Sequence, residues 1–197
     1  MAVGAALVAV AAYAATPLAA LLPLLGQTLA AGRHRERIGR ALAQIEMMLQ
    51  AHEDELRALT DEQYKFVNEV ILTTLQTTSG AKIGLLRNAI ENGISDCSMQ
   101  PHDAIFLSRA IRDMSAEEAQ FLIDNFGYER IQLADADVEH EMKVLGVAPT
   151  SKDGQLVLGL STLGLLMPAE PTWDDTGLLR FSPYVSKLLA LLRPPGA

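Results

Sequence analysis

Hydrophobic residues divide the chain into an apolar N-terminal segment and a longer region in which apolar positions recur at helical spacings. Between Val3 and Ala31 no side chain is charged. This stretch exceeds the roughly 20 residues that a helix needs to cross the hydrocarbon core of a bilayer. Pro17 and Pro23 interrupt the run, so it can form one bent helix or two half-helices that lie in the membrane interface. Residues 1–32 are therefore predicted to be a membrane-associated helical segment.

After Gly32, apolar residues recur at alternating spacings of four and three, which is the pattern of a helical seam. The seam comprises Ile38, Leu42, Ile45, Leu49, His52, Leu56 and Leu59. It predicts one long helix, whose apolar face either forms a coiled coil between copies of the protein or packs against the protein's own helices. Coiled coils usually carry complementary charges beside the seam, whereas the flanking positions here are apolar or acidic only: Gly39, Ala41, Glu46, Met48, Glu53 and Glu55. Packing within the protein is therefore favoured.

Capping residues predict four short helices in the middle of the chain. Thr60 and Gln63 have the spacing of a capping box, and Ser115 and Glu118 repeat it. Gly93 is expected just beyond the end of one helix, where left-handed backbone geometry favours glycine. The predicted helices run from Asp61 to about Thr77, from Ala81 to Asn92, from Pro101 through Ile111, and from Ser115 to Asn125, with Gly127 closing the last. Short connections between them predict a helical bundle over residues 33–127.

The last third of the chain has a mixed pattern. It predicts a strand over Tyr128–Leu133, a helix over Asp135–Leu145, a helix that Ser151 caps and Gly164 ends, a strand over Leu178–Phe181 and a helix over Tyr184–Leu192. Helix, hairpin with a long loop, and helix in this order suggest a small winged-helix-like α+β portion over residues 128–197. The predicted fold class is therefore mainly α, with this portion following the bundle.

Charge is distributed unevenly along the chain. Residues 33–40 contain four arginines and one glutamate, a net charge of +3, whereas residues 61–197 contain 11 basic and 19 acidic side chains, a net charge of −8. An acidic domain repels phosphate backbones, because nucleic-acid affinity depends mostly on Lys and Arg. The segment around residues 151–163, where a winged helix would read DNA, carries only Lys152 as a basic residue, beside Asp153. Nucleic acid is therefore a disfavoured partner.

The arginines at the end of the apolar segment indicate its orientation. Arg33, Arg35, Arg37 and Arg40 follow the uncharged run, and no Lys or Arg precedes it. This arrangement differs from a cleaved signal peptide, and the positive-inside rule places the chain after Arg33 in the cytoplasm. The predicted location is the inner, cytoplasmic membrane. Alanine occupies 11 of the 29 positions from Val3 to Ala31 and partitions into lipid much less readily than leucine. The alternative is therefore a helix buried between subunits of a soluble homo-oligomer.

Candidate chemistry is sparse in this sequence. A cluster of acidic and imidazole side chains could bind a divalent ion, and it comprises Asp135, Asp137, Glu139, His140 and Glu141. Alternate residues diverge around a helix, so a solvated acidic face is favoured over a metal site. Ser161 lies in a glycine-flanked run but is predicted to be a helix residue. His102 and Asp103 are adjacent, and adjacent residues on a helix are not expected to face each other. No catalytic residues and no cofactor are predicted.

Four short segments carry a family resemblance. They are FVNE at 66–69, MSAEEA at 114–119, LGLL at 163–166 and FSPY at 181–184. With the apolar N-terminal region and the helical middle, their order over residues 60–192 resembles bacterial proteins of the abortive-infection alpha type and their relatives. The resemblance implies a role in bacterial self-defence or stress and supplies no catalytic residues.

Together these patterns predict a membrane-tethered, non-enzymatic helical protein that acts through contacts with other proteins as a scaffold or defence component. The first alternative is a soluble homo-oligomeric regulatory protein whose N-terminal helix is a subunit interface. The second alternative is a metal-dependent enzyme with its site near Asp137 and His140.

Overall fold

The computed structural model describes residues 32–96, 99–134, 143–169 and 177–194, with side chains described from residue 36 onward. Within these ranges the chain forms eight helices and four strands. In chain order they are α1 Gly32–Ala51, α2 Glu53–Arg57, α3 Asp61–Gln76, α4 Gly80–Ser95, α5 Pro101–Asp113, α6 Ala116–Asn125, β1 Arg130–Leu133, β2 Val144–Val147, α7 Lys152–Thr162, β3 Leu166–Pro168, β4 Leu178–Phe181 and α8 Pro183–Leu192. The predicted mainly helical fold with a small strand-containing portion is confirmed at this level.

Helix α1 contains the boundary between the two units of the chain, Met1–Gln44 and Ile45–Ala197. The prediction of one long helix through Leu59 is wrong, because the backbone leaves the helical conformation at His52 (φ −111°, ψ 31°). A new helix starts there with Glu53, Asp54 and Glu55 in its first turn, where carboxylates are favoured by the helix dipole. Of the predicted seam, Ile38 and Ile45 are buried, while Leu42, Leu49, His52, Leu56 and Leu59 are partly exposed.

Both predicted capping boxes are present. The Thr60 hydroxyl accepts a hydrogen bond from the Gln63 backbone N–H at 3.2 Å, and the Gln63 side chain accepts one from the Thr60 N–H at 3.0 Å. Ser115 and Glu118 repeat the exchange at 3.1 and 2.7 Å. Each pair satisfies two backbone donors that have no partner within the helix. Helices α3 and α6 therefore start where the sequence predicts.

Gly93 lies inside α4 and not beyond its end, which corrects the predicted boundary. A Cβ atom on Gly93 would lie 2.7 Å from Cε1 of Phe66 on α3, so only a hydrogen atom fits between the two helices. The Gln63 side-chain amide also donates to the carbonyls of Gly93 and Ile94, at 3.4 and 3.0 Å. Glycine at this position thus permits close helix packing, and α4 continues to Ser95.

The four strands form one mixed sheet with the order β2-β1-β4-β3. Ile131 on the central strand β1 is fully buried and pairs with Leu145 of β2 in parallel and with Leu179 of β4 in antiparallel register. The predicted helix over Asp135–Leu145 is therefore wrong at its C-terminal end, because Val144 and Leu145 belong to β2. A short run of apolar residues favours a strand once a partner strand is available. Residues 135–142 lie outside the described residues.

Helix α7 and strands β3 and β4 follow the edge strand β2 in the chain. The predicted strand over Leu178–Phe181 is confirmed as β4. Ser151 caps α7 through a hydrogen bond from the Gly154 N–H at 3.0 Å. Gly164 has a φ of +72°, a left-handed conformation that favours glycine and ends the helix. Strands β3 and β4 pair in antiparallel register.

The C-terminal helix α8 packs against α4 and α5, while α3 also packs against both of these helices. The fully buried side chains of this helical core include Phe66, Leu86, Ile90, Leu107, Ile111, Leu122, Leu188 and Leu189. Residues of α3 and of the C-terminal helix α8 thus share one core. Within the described residues, no helix has the length and hydropathy to cross a membrane, and residues 1–31 lie outside this range.

Replacing Gly93 with alanine is expected to destabilise the fold by about 1–3 kcal/mol, the usual cost of adding atoms to a packed core. Gly84 on the same helix is exposed, and nothing lies within 4 Å of a Cβ placed there. Gly84→Ala is therefore the matched control, and we expect it to stabilise the protein by about 0.5–1 kcal/mol. Chemical unfolding followed by circular dichroism measures both changes. Equal stabilities for the two variants would contradict the close packing at Gly93.

Candidate functional site

A cleft of about 390 Å³ lies among α4, the segment that follows it, α5 and α8. Its polar residues include Asn92, Asp103 and Lys187. Met99 and Leu107, which also line it, are buried. The cleft is therefore a place where polar side chains from three helices come together, and one of them, Asp103, is buried.

An ion pair joins α5 to α8 at this cleft. The Lys187 ammonium donates to Oδ2 of Asp103 at 2.6 Å. The Asp103 side chain is only 3% exposed, whereas that of Lys187 is 52% exposed. The backbone N–H of Gln100 donates to the same carboxylate oxygen at 3.4 Å. Asp103 thus serves the first turn of its own helix and also holds a lysine 84 positions later in the chain.

The environment of Asp103 keeps its carboxylate ionised. Burial on its own raises the pKa of Asp103, since the charged form loses hydration. The hydrogen bonds from Lys187 and the Gln100 backbone, with the charges of Lys187 and His102, outweigh this effect and leave the pKa below its usual value of 3.8. Asp103 therefore remains ionised at neutral pH.

His102 and Asp103 approach each other, contrary to the sequence-based expectation. Nε2 of His102 lies 3.4 Å from Oδ1 of Asp103, and the His102 side chain is 67% exposed. Side chains on a helix lean towards its N-terminus. His102 and Asp103 lie in the first turn of α5, so no earlier turn of the helix comes between their side chains. The imidazole therefore lies on the solvent side of the buried carboxylate.

Two amide side chains of α4 satisfy the carbonyl groups at the end of α8. Nδ2 of Asn88 donates to the carbonyl of Leu192 at 3.0 Å. Nδ2 of Asn92 lies within hydrogen-bond distance of the carbonyls of Leu191 and Arg193, both at 2.9 Å. The last four carbonyls of a helix have no partner within the helix, and leaving such a group buried and unpaired costs about 1–3 kcal/mol. Asn88 and Asn92 together form what we call the carbonyl clamp of α8.

A lysine makes a similar contact at another helix end. The Lys82 ammonium donates to the carbonyl of Arg112, near the end of α5, at 2.6 Å. Burial lowers the pKa of Lys82, and the charges of Asp113 and Glu118 oppose this effect only in part. Gln63 of α3 makes the same kind of contact with carbonyls at the end of α4. Side chains from neighbouring helices thus donate to terminal carbonyls of α4, α5 and α8.

An aromatic pair adds an apolar contact between α5 and α8. The rings of Phe106 and Tyr184 stack with their centroids 4.1 Å apart and an interplanar angle of 24°. Stacked pairs of this kind contribute about 0.5–1.5 kcal/mol beyond the area that they bury. The ion pair, the carbonyl clamp and the ring stack hold α8 at its middle, its end and its start. This combination of contacts indicates an attachment site for the C-terminal helix.

The residues predicted to orient the N-terminal segment lie at the start of α1. Arg33 and Arg35 belong to this helix, but their side chains are outside the described residues. Arg37 and Arg40 are exposed, and the Arg40 guanidinium lies 3.8 Å from a carboxylate oxygen of Glu36. These positions fit a charged surface next to the predicted membrane segment.

The candidate metal ligands Asp135, Asp137, Glu139, His140 and Glu141 lie outside the described residues. In the described part of the chain, no group of three or more His, Cys, Asp or Glu side chains is arranged to hold a metal ion. Ser161 lies in α7 as predicted, and its hydroxyl donates to the carbonyl of Val157 at 2.9 Å.

The sequence did not predict Lys187 or the carbonyl clamp as parts of a site. One signal was present, because Asn88 and Asn92 are four residues apart and so share a helix face. Asn88 is itself buried, and a buried amide needs a partner. The partner groups lie about a hundred positions away, at a helix end that local patterns do not connect to α4.

Comparisons with protein families, with curated proteins and with solved structures find no match for this chain. The resemblance to abortive-infection alpha proteins therefore stays a prediction. Inferences about function rest on the chain's own residues.

Replacing Asp103 with asparagine is expected to lower the free energy of unfolding by about 1–2 kcal/mol at pH 7, because it removes a charged hydrogen-bond acceptor. The effect is limited because the partner, Lys187, is half exposed and solvent partly screens its charge. The pKa of Asp103 is lowered in the folded state, so its stabilising effect is present above pH 3.8 and is lost as the pH falls through the folded-state value. Urea unfolding at pH 7 and pH 3 measures the difference.

The control is Asp124→Asn, since Asp124 is exposed and its carboxylate accepts a hydrogen bond from Gln120 on the same helix. We expect this change to alter stability by less than about 0.5 kcal/mol at both pH values. An Asp103→Asn effect as small as the control's, or one that grows towards pH 3, would contradict the assigned ion pair.

Proposed function

We propose that this chain is a non-enzymatic helical protein that residues 1–32 tether to the inner face of the cytoplasmic membrane, where its larger unit acts through contacts with other proteins. The observation that carries the proposal is the uncharged run from Val3 to Ala31, which leads directly into the arginine-bearing start of α1. A run of this length suits a bilayer, and positive charge immediately after it favours the cytoplasmic side.

The polar groups of the cleft support a scaffold role for the larger unit. Asp103 is bonded to Lys187, and the amides of Asn88 and Asn92 are bonded to backbone carbonyls. Each of these groups stabilises the position of a helix, which is what a protein that presents a fixed surface requires. The net charge of −8 over residues 61–197 favours protein partners over nucleic acid.

A winged-helix-like arrangement of the C-terminal portion forms part of the proposal. Helix α7 precedes the β3–β4 hairpin, β4 also pairs with β1, and α8 follows the hairpin. The parallel edge strand β2 is an addition to this arrangement. Helix α7 carries one basic residue, Lys152, which is beside Asp153. Because nucleic-acid affinity depends mostly on Lys and Arg, we assign this portion to protein docking. The resemblance to abortive-infection alpha proteins extends the proposal to a role in bacterial defence or stress.

Fractionation of bacteria that express the full chain tests the tether. We expect the protein to sediment with membranes and to remain there through high-salt and carbonate washes. A Leu21→Arg/Leu22→Arg variant is expected to move to the soluble fraction, because an arginine near the centre of a span costs about 2.5–3.5 kcal/mol. The control, Met47→Arg/Leu158→Arg, adds the same charge at exposed positions and should stay with the membranes.

Two results would contradict the tether. One is recovery of the unmodified chain in the soluble fraction as a discrete oligomer of defined mass, which would favour the subunit-interface alternative. The other is a soluble fraction of the control variant equal to that of the Leu21→Arg/Leu22→Arg variant. Release by carbonate but not by salt would instead identify interfacial binding without a span.

A further inference from the structure

Three arginines of α1 occupy one face of the helix. Positions 33, 37 and 40 are separated by four and three residues, a spacing that places them on the same side. Arg37 and Arg40 are exposed, whereas Ile38 and Ala41 are buried. The helix is therefore amphipathic at its start, and Arg37 and Arg40 lie on its exposed side.

We propose that this arginine face, Arg33, Arg37 and Arg40, binds the anionic headgroups of membrane phospholipids. The proposal rests on the membrane tether proposed above and adds the chemistry of the lipid that the tether region selects. An arginine guanidinium presents several N–H donors in a planar fork that fits two phosphate oxygens at once. Basic residues next to an anionic membrane surface are attracted to it.

The ion pair between Arg40 and Glu36 does not compete strongly with phosphate. Arg40 and Glu36 are 3.8 Å apart, and both side chains are 73% exposed. Exposed pairs of this kind contribute from nothing to about 1 kcal/mol, so a phosphate can replace the carboxylate at little cost. Residues 33–40 retain a net charge of +3.

The size and position of the arginine face favour a lipid surface over other polyanions. From position 33 to position 40 the helix rises about 10 Å, which matches a few headgroups and not an extended nucleic-acid backbone. The face begins two residues after the uncharged run ends at Ala31. A segment held in the bilayer would keep these arginines at the depth of the headgroups, whereas the acidic larger unit offers a nucleic acid no added attraction.

Reconstitution of the full chain into vesicles tests the proposal in two steps. Flotation with neutral phosphatidylcholine vesicles measures the tether alone. Spin-labelled phosphatidylglycerol and phosphatidylcholine, each added in trace amounts, then measure which lipid the protein selects. We expect a preference for phosphatidylglycerol that approaches about fivefold for each arginine at low ionic strength. Arg37→Gln/Arg40→Gln removes two of the three arginines of the face, so the preference should fall to about fivefold or less, while flotation is unchanged.

Arg87→Gln/Arg109→Gln is the matched control, because both arginines are exposed and lie on other helices. This variant should keep the lipid preference. Adding phosphate should weaken the preference no more than chloride at the same ionic strength, since both salts screen charge. A DNA-binding measurement without vesicles completes the comparison.

Each outcome bears on one proposal or on both. Flotation without a lipid preference, or a preference that is undiminished in Arg37→Gln/Arg40→Gln, would overturn the headgroup site and leave the tether intact. Specific displacement by low-millimolar phosphate would assign the face to a free anion, and arginine-dependent DNA binding would assign it to a nucleic acid. Either result would overturn the proposal. If the chain does not float with neutral vesicles, binding to phosphatidylglycerol vesicles that depends on Arg37 and Arg40 would support the headgroup site alone. No binding to either kind of vesicle would overturn both the headgroup site and the tether.

Discussion

The terminal carbonyls of a helix need partners, and in this protein the need is met by side chains of other helices. Asn88 and Asn92 on α4 provide the partners for the end of α8. Gln63 on α3 provides them for the end of α4. A buried carbonyl without a partner costs as much as a substantial part of a small protein's net stability. The positions of α4 and α8 are therefore tied to side chains of neighbouring helices.

Attachment of α8 determines how the C-terminal portion joins the rest of the larger unit. The chain passes through the sheet and α7 before α8 returns to α4 and α5. There Lys187 bonds Asp103 and Tyr184 stacks on Phe106. Because α8 also buries Leu188 and Leu189 in the helical core, the polar contacts fix the position of a helix that hydrophobic burial already favours. Such an arrangement suits the proposed scaffold role, in which the larger unit presents a fixed surface to other proteins.

Local chemistry in the sequence predicted most helix starts, and non-local contacts account for the errors. The capping boxes at Thr60 and Ser115 were predicted because the partners are three residues apart. Gly93 was placed at a helix end because glycine often has that role, whereas here Phe66 of another helix requires it. Val144 and Leu145 were assigned to a helix because their strand partner, β1, is not apparent from spacing alone. Lys187 and the carbonyl clamp were missed for the same reason, since their partners are distant in the chain.

Native-state hydrogen exchange tests most directly whether α8 is an integral part of the helical core. If the carbonyl clamp and the ion pair hold it there, the amides of Leu189, Leu191 and Leu192 should exchange with the same free energy of opening as those of Val70 and Ile90 in α3 and α4. That free energy should be close to the one for global unfolding. Exchange of the α8 amides at a free energy several kcal/mol lower, while α3 and α4 stay protected, would contradict this account.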